Sequence, residues 1–248
     1  MQFRLEICVD SVTSAINAQE AGANRIELCD NIREGGTTPG PGKINTVRKN
    51  LDIDMNVLIR PRGSDFLYSD IEFDVMRRDI EFCGESGIDG IVIGILLKDG
   101  SIDVERTAKL AEIARPMSVT FHRAFDLSAD PAVGLENIIM TGADRLLTSG
   151  MKNKAEDGIS LIQKLVNDAG KRIIIMPGSG INENNIELIA RETGAKEFHL
   201  TGRKTISSEM IYRKGDISMG SSSPADEYSM KIADKHMIKN MIEILKMI

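Results

Sequence analysis

The segment that decides the fold is AGANRIEL, residues 21–28, because close copies of it recur along the chain. The other copies are SGIDGIVI (residues 86–93), TGADRLLT (141–148) and TGAKEFHL (193–200). In each copy, a glycine suited to the left-handed residue that ends a helix precedes an apolar run with strand character. Subtracting residue numbers, these glycines lie 65, 55 and 52 residues apart. Such a period predicts a fold built from similar supersecondary units.

A second series of apolar runs fits between these copies and brings the predicted strand count to eight. These runs cover residues 5–9, 57–61, 119–121 and 173–176. Helical stretches separate the strands, and several have start signals, such as Ser69 with Glu72 in a capping box and Asn182 ahead of residues 183–192. Eight strand–helix units in 248 residues predict an α/β fold, the (β/α)8 TIM barrel. A doubly wound open sheet is the alternative, although it needs no fourfold repeat.

We expect residues 1–248 to form a single TIM-barrel domain. The eight units occupy residues 5–203 without a linker. The polar segment 204–224 is long for a connection and is predicted to be a loop that covers the site or reaches a partner. Residues 225–247 are predicted to form the helix that closes the ring.

Composition narrows the class of protein. With 31 basic and 37 acidic residues the net charge is −6, so no cationic excess favours nucleic acid as a partner. The longest apolar run, residues 91–97, is far shorter than the roughly 20 residues of a membrane span. The charged N-terminus lacks the apolar core of a signal peptide, and three widely spaced cysteines do not form a disulfide framework. These features favour a cytoplasmic protein with no membrane partner.

Alternation along the predicted strands places polar side chains inside the barrel. One side of each strand packs against the helices, and the other fills an interior that is normally apolar. Buried charge is costly unless it is paired, so we expect these groups to pair with each other or with a ligand. Two hypotheses follow: an internal ion-pair network, or a functional site at the C-terminal ends of the strands. The inward residues are Glu6, Cys8, Glu27, Cys29, Arg60, Arg62, His122, Glu197 and His199.

The first functional hypothesis is an enzyme acting on a small phosphorylated or carboxylated metabolite. His122 with Glu27 would move protons, and Arg60 with Arg62 would stabilise developing negative charge. Neighbouring arginines should disfavour the charged form of His122, which keeps a neutral base available near pH 7. The full set of candidate catalytic residues is Glu27, Arg60, Arg62, His122, Arg123 and Asp126.

Two glycine-containing loops predict an anion site at the same end of the barrel. Gly178, Ser179 and Gly180 follow the seventh strand and run into a helix, so backbone N–H groups are free to hold an anion. Gly202 and Arg203 follow the eighth strand and add a guanidinium. Phosphate sites of barrels are often formed by these two loops.

The second functional hypothesis is a copper-binding protein. Cys8 and Cys29 occupy matching positions on neighbouring strands, which lie about 4.8 Å apart, so their thiols are placed to share one ion. Two thiolates suit Cu(I) better than Mg²⁺ or Ca²⁺. The alternative is that both are buried free cysteines that act as small apolar side chains. Cys83, within a predicted helix, has no such neighbour.

Several long motifs together resemble the CutC copper-homeostasis family, from Leu5 to Arg203. They are EICVDS (6–11), RIELC (25–29), EGGTTP (34–39), IRPRG (59–63), DFLYSD (65–70), VTFHRAFD (119–126), LTSG (147–150) and IMPG (175–178). The resemblance implies a barrel fold, a cytoplasmic location, self-association into a homo-oligomer and copper handling, with Cu(I) at Cys8 and Cys29. The chain departs from the family at Ser179, where the family commonly has glycine, and at residues 200–203.

Overall fold

Eight parallel strands form the centre of the molecule in a computed structural model that describes residues 3–217, 219 and 227–248. Each of the first six strands pairs with the next along the chain, and the eighth pairs with the first. A parallel bridge between Gly178 and His199 joins the seventh strand to the eighth. The sheet therefore closes on itself, and the predicted (β/α)8 barrel is confirmed. The strands are β1 (Arg4–Val9), β2 (Arg25–Leu28), β3 (Asp54–Leu58), β4 (Gly90–Ile93), β5 (Ser118–Phe121), β6 (Arg145–Thr148), β7 (Ile174–Pro177) and β8 (Glu197–Leu200).

Helices surround this sheet. They are α1 (Val12–Glu20), α2 (Pro41–Lys49), α3 (Asp70–Glu85), α4 (Val104–Ala114), α5 (Pro131–Met140), α6 (Ile159–Ala169), α7 (Ile186–Thr193) and α8 (Lys235–Lys246). The capping box of Ser69 and Glu72 is present at the start of α3. Within the described ranges, no helix is both long and apolar enough to cross a membrane.

The predicted start of the seventh helix is wrong by three residues. The Asn182 side chain accepts from the backbone N–H of Asn184 and donates to Gly180 O, which fixes a turn ahead of the helix. Helix α7 begins only at Ile186, after Asn185. A side chain that competes for nearby backbone groups favours such turns over the helix itself.

The repeated glycines end helices as predicted. Gly22, Gly87, Gly142 and Gly194 all have positive φ, between 68° and 92°. A residue with a Cβ is strained in this left-handed region, so glycine at each position lets the chain leave a helix and enter the next strand.

The barrel wall separates two environments. Leu5, Ile7 and Val9 on β1 belong to the large apolar core between strands and helices. Cys8 lies on the other side of the same strand, in a small inner cluster with Cys29, Leu58 and Val92. The alternation inferred from sequence is therefore correct for this strand.

The end of the chain differs from the prediction. Residues predicted as the start of the closing helix form a strand, β10 (Ser229–Ala233), which pairs antiparallel with β9 (Arg203–Ser207). Ala233 is fixed to α1, because its N–H donates to Ser14 Oγ and its carbonyl accepts from Asn17. Helix α8 consequently begins at Lys235 rather than near residue 225. Part of the predicted loop, residues 218 and 220–224, lies outside the described residues.

Candidate functional site

A cavity of about 580 Å³ opens at the C-terminal ends of the barrel strands. We call it the mouth cavity. It brings together most of the candidate residues from both functional hypotheses, as the alternation of the strands predicts. Its lining includes Cys8, Glu27, Glu34, Leu58, Arg60, Phe66, His122, Arg123, Asp126, Ser179, Gly180 and His199.

An ion-pair network fills the opposite, N-terminal end of the barrel interior. Arg25 donates from Nε to Glu6 and from Nη2 to Glu197, the second bond being 2.8 Å long. Arg145 donates to the same Glu197 oxygen over 2.8 Å, and Asn56 donates to Glu6 over 3.0 Å. We call these five residues the basal network. Its two arginines and two glutamates balance in charge without a ligand, while Arg25 Nη1 and Arg145 Nη1 have no hydrogen-bond partner among the described residues.

The basal network also corrects the sequence hypothesis of an internal ion-pair network. Such a network exists, but its arginines are Arg25 and Arg145 rather than Arg60 and Arg62. Burial is the largest single influence and would raise the pKa of Glu6, yet the charges and hydrogen bonds of Arg25 and His199 together outweigh it and lower the pKa to about 2. Arg25 lies two positions before the inward Glu27, so the same alternation carries the signal that places it inside.

The two strand cysteines converge at the base of the mouth cavity. Cys8 Sγ lies 3.7 Å from Cys29 Sγ and donates to Glu27 Oε1 over 3.6 Å. The hydrogen bond with Cys29, together with burial, raises the pKa of the Cys8 thiol well above its ordinary value. Burial raises the pKa of Glu27 to about 7. Near neutral pH this corner therefore holds a protonated thiol beside a carboxyl group close to its titration point.

His199 adds a third kind of donor beside Cys8 and Glu27. Its Nδ1 lies 2.8 Å from Glu6 Oε1 and 4.0 Å from Glu27 Oε2. Burial would lower the pKa of His199, but the negative charges of Glu27 and Glu6 raise it overall. Within the described part of the chain, Cys8, Glu27 and His199 form a group whose ligand atoms lie within 4.8 Å of one another. The sequence hypothesis left His199 out of its metal ligands.

His122 lines the mouth cavity with one ring nitrogen unpaired. Its Nδ1 accepts from the backbone N–H of Ala124 over 3.1 Å, so in the neutral ring the hydrogen is on Nε2. Nε2 is buried and has no hydrogen-bond partner among the described residues. Burial and the charge of Arg60 lower the pKa of His122 to about 3. The prediction of a neutral imidazole near pH 7 agrees with this pKa.

Arg60 is held by carbonyls rather than by carboxylates. Its Nη1 donates to Glu34 O and Gly36 O, and its Nη2 donates to Ser64 O. The guanidinium lies 4.9 Å from the centre of the Phe66 ring. Nε is buried without a partner in the described structure. Arg60 therefore holds the loops of the cavity rim and keeps one donor unsatisfied.

Arg62 does not reach the cavity, contrary to the catalytic hypothesis. Strand β3 ends at Leu58, so the alternation used to place Arg62 inside no longer applies. Its guanidinium pairs with Asp65 over 2.9 Å and with Glu72 at the start of α3. Its position supports the loop that precedes α3.

Arg123 and Asp126 lie in the cavity wall, where their polar atoms hold a loop. Asp126 accepts from the hydroxyls of Thr148 and Ser149 and from the backbone N–H of Met151. Arg123 donates to Asp126 over 2.7 Å and to Ser149 over 2.8 Å. These contacts make both residues supports of the segment after β6.

The predicted anion loops divide between two places. Ser179 and Gly180 line the mouth cavity, and both have positive φ. Gly178 packs closely on Leu147 and His199 outside the lining, and Gly202 packs on Ile238. Arg203 is placed beside Asp10, with 3.6 Å between Nη1 and the carboxylate. The loops therefore do not bring their five predicted residues to one lining surface.

Comparison with known proteins gives consistent matches. The CutC family model matches residues 3–204. A family protein CutC of Chromobacterium violaceum is 47% identical over 241 residues, 97% of each chain. The human copper homeostasis protein cutC homolog is 46% identical over 244 residues, covering 98% of this chain and 89% of the human protein. The crystal structure of a copper homeostasis protein CutC from Streptococcus agalactiae, 35% identical, superimposes with a TM-score of 0.77 over 81% of this chain and 99% of that one.

Proposed function

The chain belongs to the CutC family, and on this premise we propose that it serves copper homeostasis by binding Cu(I) between Cys8 and Cys29. The observation that carries the proposal is the 3.7 Å separation of the two sulfurs at the base of a cavity that Cys8 lines. Soft thiolates favour Cu(I) over the hard cations.

The spacing of the two sulfurs supports a shared ion. A metal–thiolate bond is about 2.3 Å long for zinc, so two sulfurs that share an ion of similar size lie at most about 4.6 Å apart. The observed 3.7 Å falls within this limit. Cys29 is fully buried and Cys8 is slightly exposed, so an ion entering from the mouth cavity meets Cys8 first.

Proton release accompanies this binding, because a thiol must lose its proton to become a ligand. The Cys8 thiol already donates to Glu27. With a pKa near 7, the Glu27 carboxyl group can accept that proton and pass it to solvent in the mouth cavity. Copper affinity should therefore increase with pH.

A competitive Cu(I) titration against a chromophoric chelator tests the proposal. We expect Cys8→Ser and Cys29→Ser each to lower Cu(I) affinity by about 100-fold or more, since even outer-sphere partners contribute 10–100-fold. Cys83→Ser is the matched control, because Cys83 is an equally buried free thiol on α3 and should leave affinity unchanged.

A different ligand set would be visible in the same titration. If Glu27→Gln and His199→Ala abolish copper binding while Cys29→Ser does not, the ion is held by the Cys8, Glu27 and His199 group instead. Equal affinity in the wild type and the Cys8→Ser, Cys29→Ser double variant would remove copper binding at this site altogether.

The cytoplasmic location and self-association belong to the same proposal. Both rest on the family resemblance, and copies of the chain in solution can be counted by sedimentation equilibrium. A mass near one 27.2 kDa chain at micromolar concentration would contradict self-association.

A further inference from the structure

Arg60 is a buried positive charge without a negative partner. Its exposed fraction is 5%, and within the described residues no carboxylate oxygen lies within 4.0 Å of its guanidinium. Glu27, Glu34 and Asp126 share the cavity, yet the only one of them in an ion pair with an arginine is Asp126, which pairs with Arg123. An unpaired buried charge is costly unless something else compensates for it. The copper site does not use this group.

His122 presents a second unsatisfied donor on the same wall. Its Nε2–H has no partner among the described residues, and Phe66 packs against both groups, with ring centres 4.8 Å apart for Phe66 and His122. Arg60 packs over the same Phe66 ring. Two side chains that line the mouth cavity, the cationic Arg60 beside the Tyr68 hydroxyl and the neutral imidazole of His122, therefore each carry a buried N–H for which the described structure shows no hydrogen-bond acceptor.

The missing partner must be an anion of small size. A water or an amide oxygen would satisfy a hydrogen bond but not the charge of Arg60, whereas a carboxylate or phosphate satisfies both. The cavity volume of about 580 Å³ lies within the ~300–1,000 Å³ typical of small-molecule sites. Ile32, Leu58 and Leu147 add apolar lining for the body of a ligand.

We propose that the mouth cavity binds the carboxylate or phosphate group of a small organic metabolite, with Arg60 Nε–H and His122 Nε2–H as donors. The two donors are distinct from the copper ligands: Cys8 lines the same cavity, but neither donor is hydrogen-bonded to Cys8 or Cys29 in the described structure. The protein thereby gains a small-molecule ligand in addition to copper.

Isothermal titration of the metal-free full chain with inorganic phosphate, and separately with oxalate, tests this site at pH 7. Each probe is raised to about 10 mM, tenfold above a Kd of ~1 mM, with chloride at equal ionic strength as the reference. Saturable binding of phosphate alone would indicate a phosphate ester as ligand, and binding of oxalate alone would indicate a carboxylate.

His122→Asn is the sharpest variant, because the asparagine oxygen can still accept from the Ala124 N–H while the Nε2 donor is lost. We expect it to weaken binding of the probe about tenfold or more. Arg60→Lys, which keeps the charge and lacks Nε, should weaken binding likewise and gives a second test should His122→Asn misfold.

Two controls separate this site from others. Arg62→Gln alters an arginine of the same segment outside the cavity, and Cys83→Ser alters a free thiol on α3 that does not line the cavity; both should bind the probe like the wild type. Failure of both probes to bind at about 10 mM, or equal affinity of the wild type, His122→Asn and Arg60→Lys, would overturn the proposal. Because copper binding is tested at the cysteines and probe binding at His122 and Arg60, the two functions can fail independently.

Discussion

Two buried arginines at opposite ends of the barrel interior show what distinguishes its base from its mouth. Arg25 at the base is 2% exposed and is paired with Glu6 and Glu197. Arg60 at the mouth is 5% exposed, and within the described residues its guanidinium donates to backbone carbonyls, lies over an aromatic ring and neighbours the Tyr68 hydroxyl, with no carboxylate partner. The two arginines are therefore almost equally buried, but only Arg25 is paired with carboxylates.

This difference indicates that the base of the barrel serves stability and the mouth serves function. Barrel enzymes and binding proteins keep their sites at the C-terminal ends of the strands, and the N-terminal end serves stability. The basal network follows that division, because its charges compensate one another. Within the described part of the chain, the mouth cavity retains a guanidinium without a carboxylate partner, an imidazole N–H without an acceptor and a thiol pair, and local violations of this kind are expected at functional sites.

Removal of Arg25 should have the largest effect on folding. In Arg25→Met the carboxylates of Glu6 and Glu197 lose a shared buried partner, and breaking a buried pair typically costs about 3–5 kcal/mol. Urea-induced unfolding of the variant at pH 7 measures this loss. The matched surface substitution Arg172→Met removes an exposed pair with Glu136 and should cost at most about 1 kcal/mol. A similar cost for the two variants would show that the basal network is not a stabilising structure.

The titration of His122 predicts how the stability of the protein depends on pH at the mouth of the barrel. Because the folded pKa is about 3 and the ordinary value is 6.5, the unfolded chain binds a proton between these pH values that the folded protein does not. Stability must then decrease as pH falls below 6.5. One proton across the 1.5 pH units to pH 5 corresponds to about 2 kcal/mol.

His122→Asn should remove that loss. We expect the wild type to lose about 2 kcal/mol more unfolding free energy than the variant when the pH falls from 7 to 5. Urea unfolding of both proteins at both pH values measures this. Glu27, whose pKa is raised to about 7, acts in the opposite direction and gains stability as pH falls toward 4.5, but it is common to both proteins. A pH-independent difference would contradict a buried neutral imidazole.

The sequence predicts the barrel well because its signals are local and repeated. A left-handed glycine followed by an apolar run occurs in every second unit, and Gly22 and Gly142 occupy the same backbone conformation. Strict alternation along β1 and β2 then places Cys8 and Glu27 together. Neither step depends on contacts between residues far apart in sequence.

The parts missed from sequence depend on where strands begin and end. Arg25 and Arg145 open their strands and look like turn residues of the repeat, although they face inward. Arg62 lies beyond the end of β3, where the chain turns and Ser64 adopts a positive φ. The pairing of β9 with β10 joins segments about twenty residues apart, and both strands mix charged with apolar side chains, so the sequence alone does not mark it.

The smallest effect should come from Arg62, two residues from Arg60 in the same motif. Its ion pairs with Asp65 and Glu72 are partly exposed, so Arg62→Gln should lower the free energy of unfolding by at most about 1 kcal/mol. Arg60→Gln loses three charged hydrogen bonds to carbonyls and should cost at least about 2 kcal/mol. Urea unfolding of the two variants under the same conditions measures both costs. Equal losses of unfolding free energy would contradict the structure, in which Arg60 is buried and Arg62 is partly exposed.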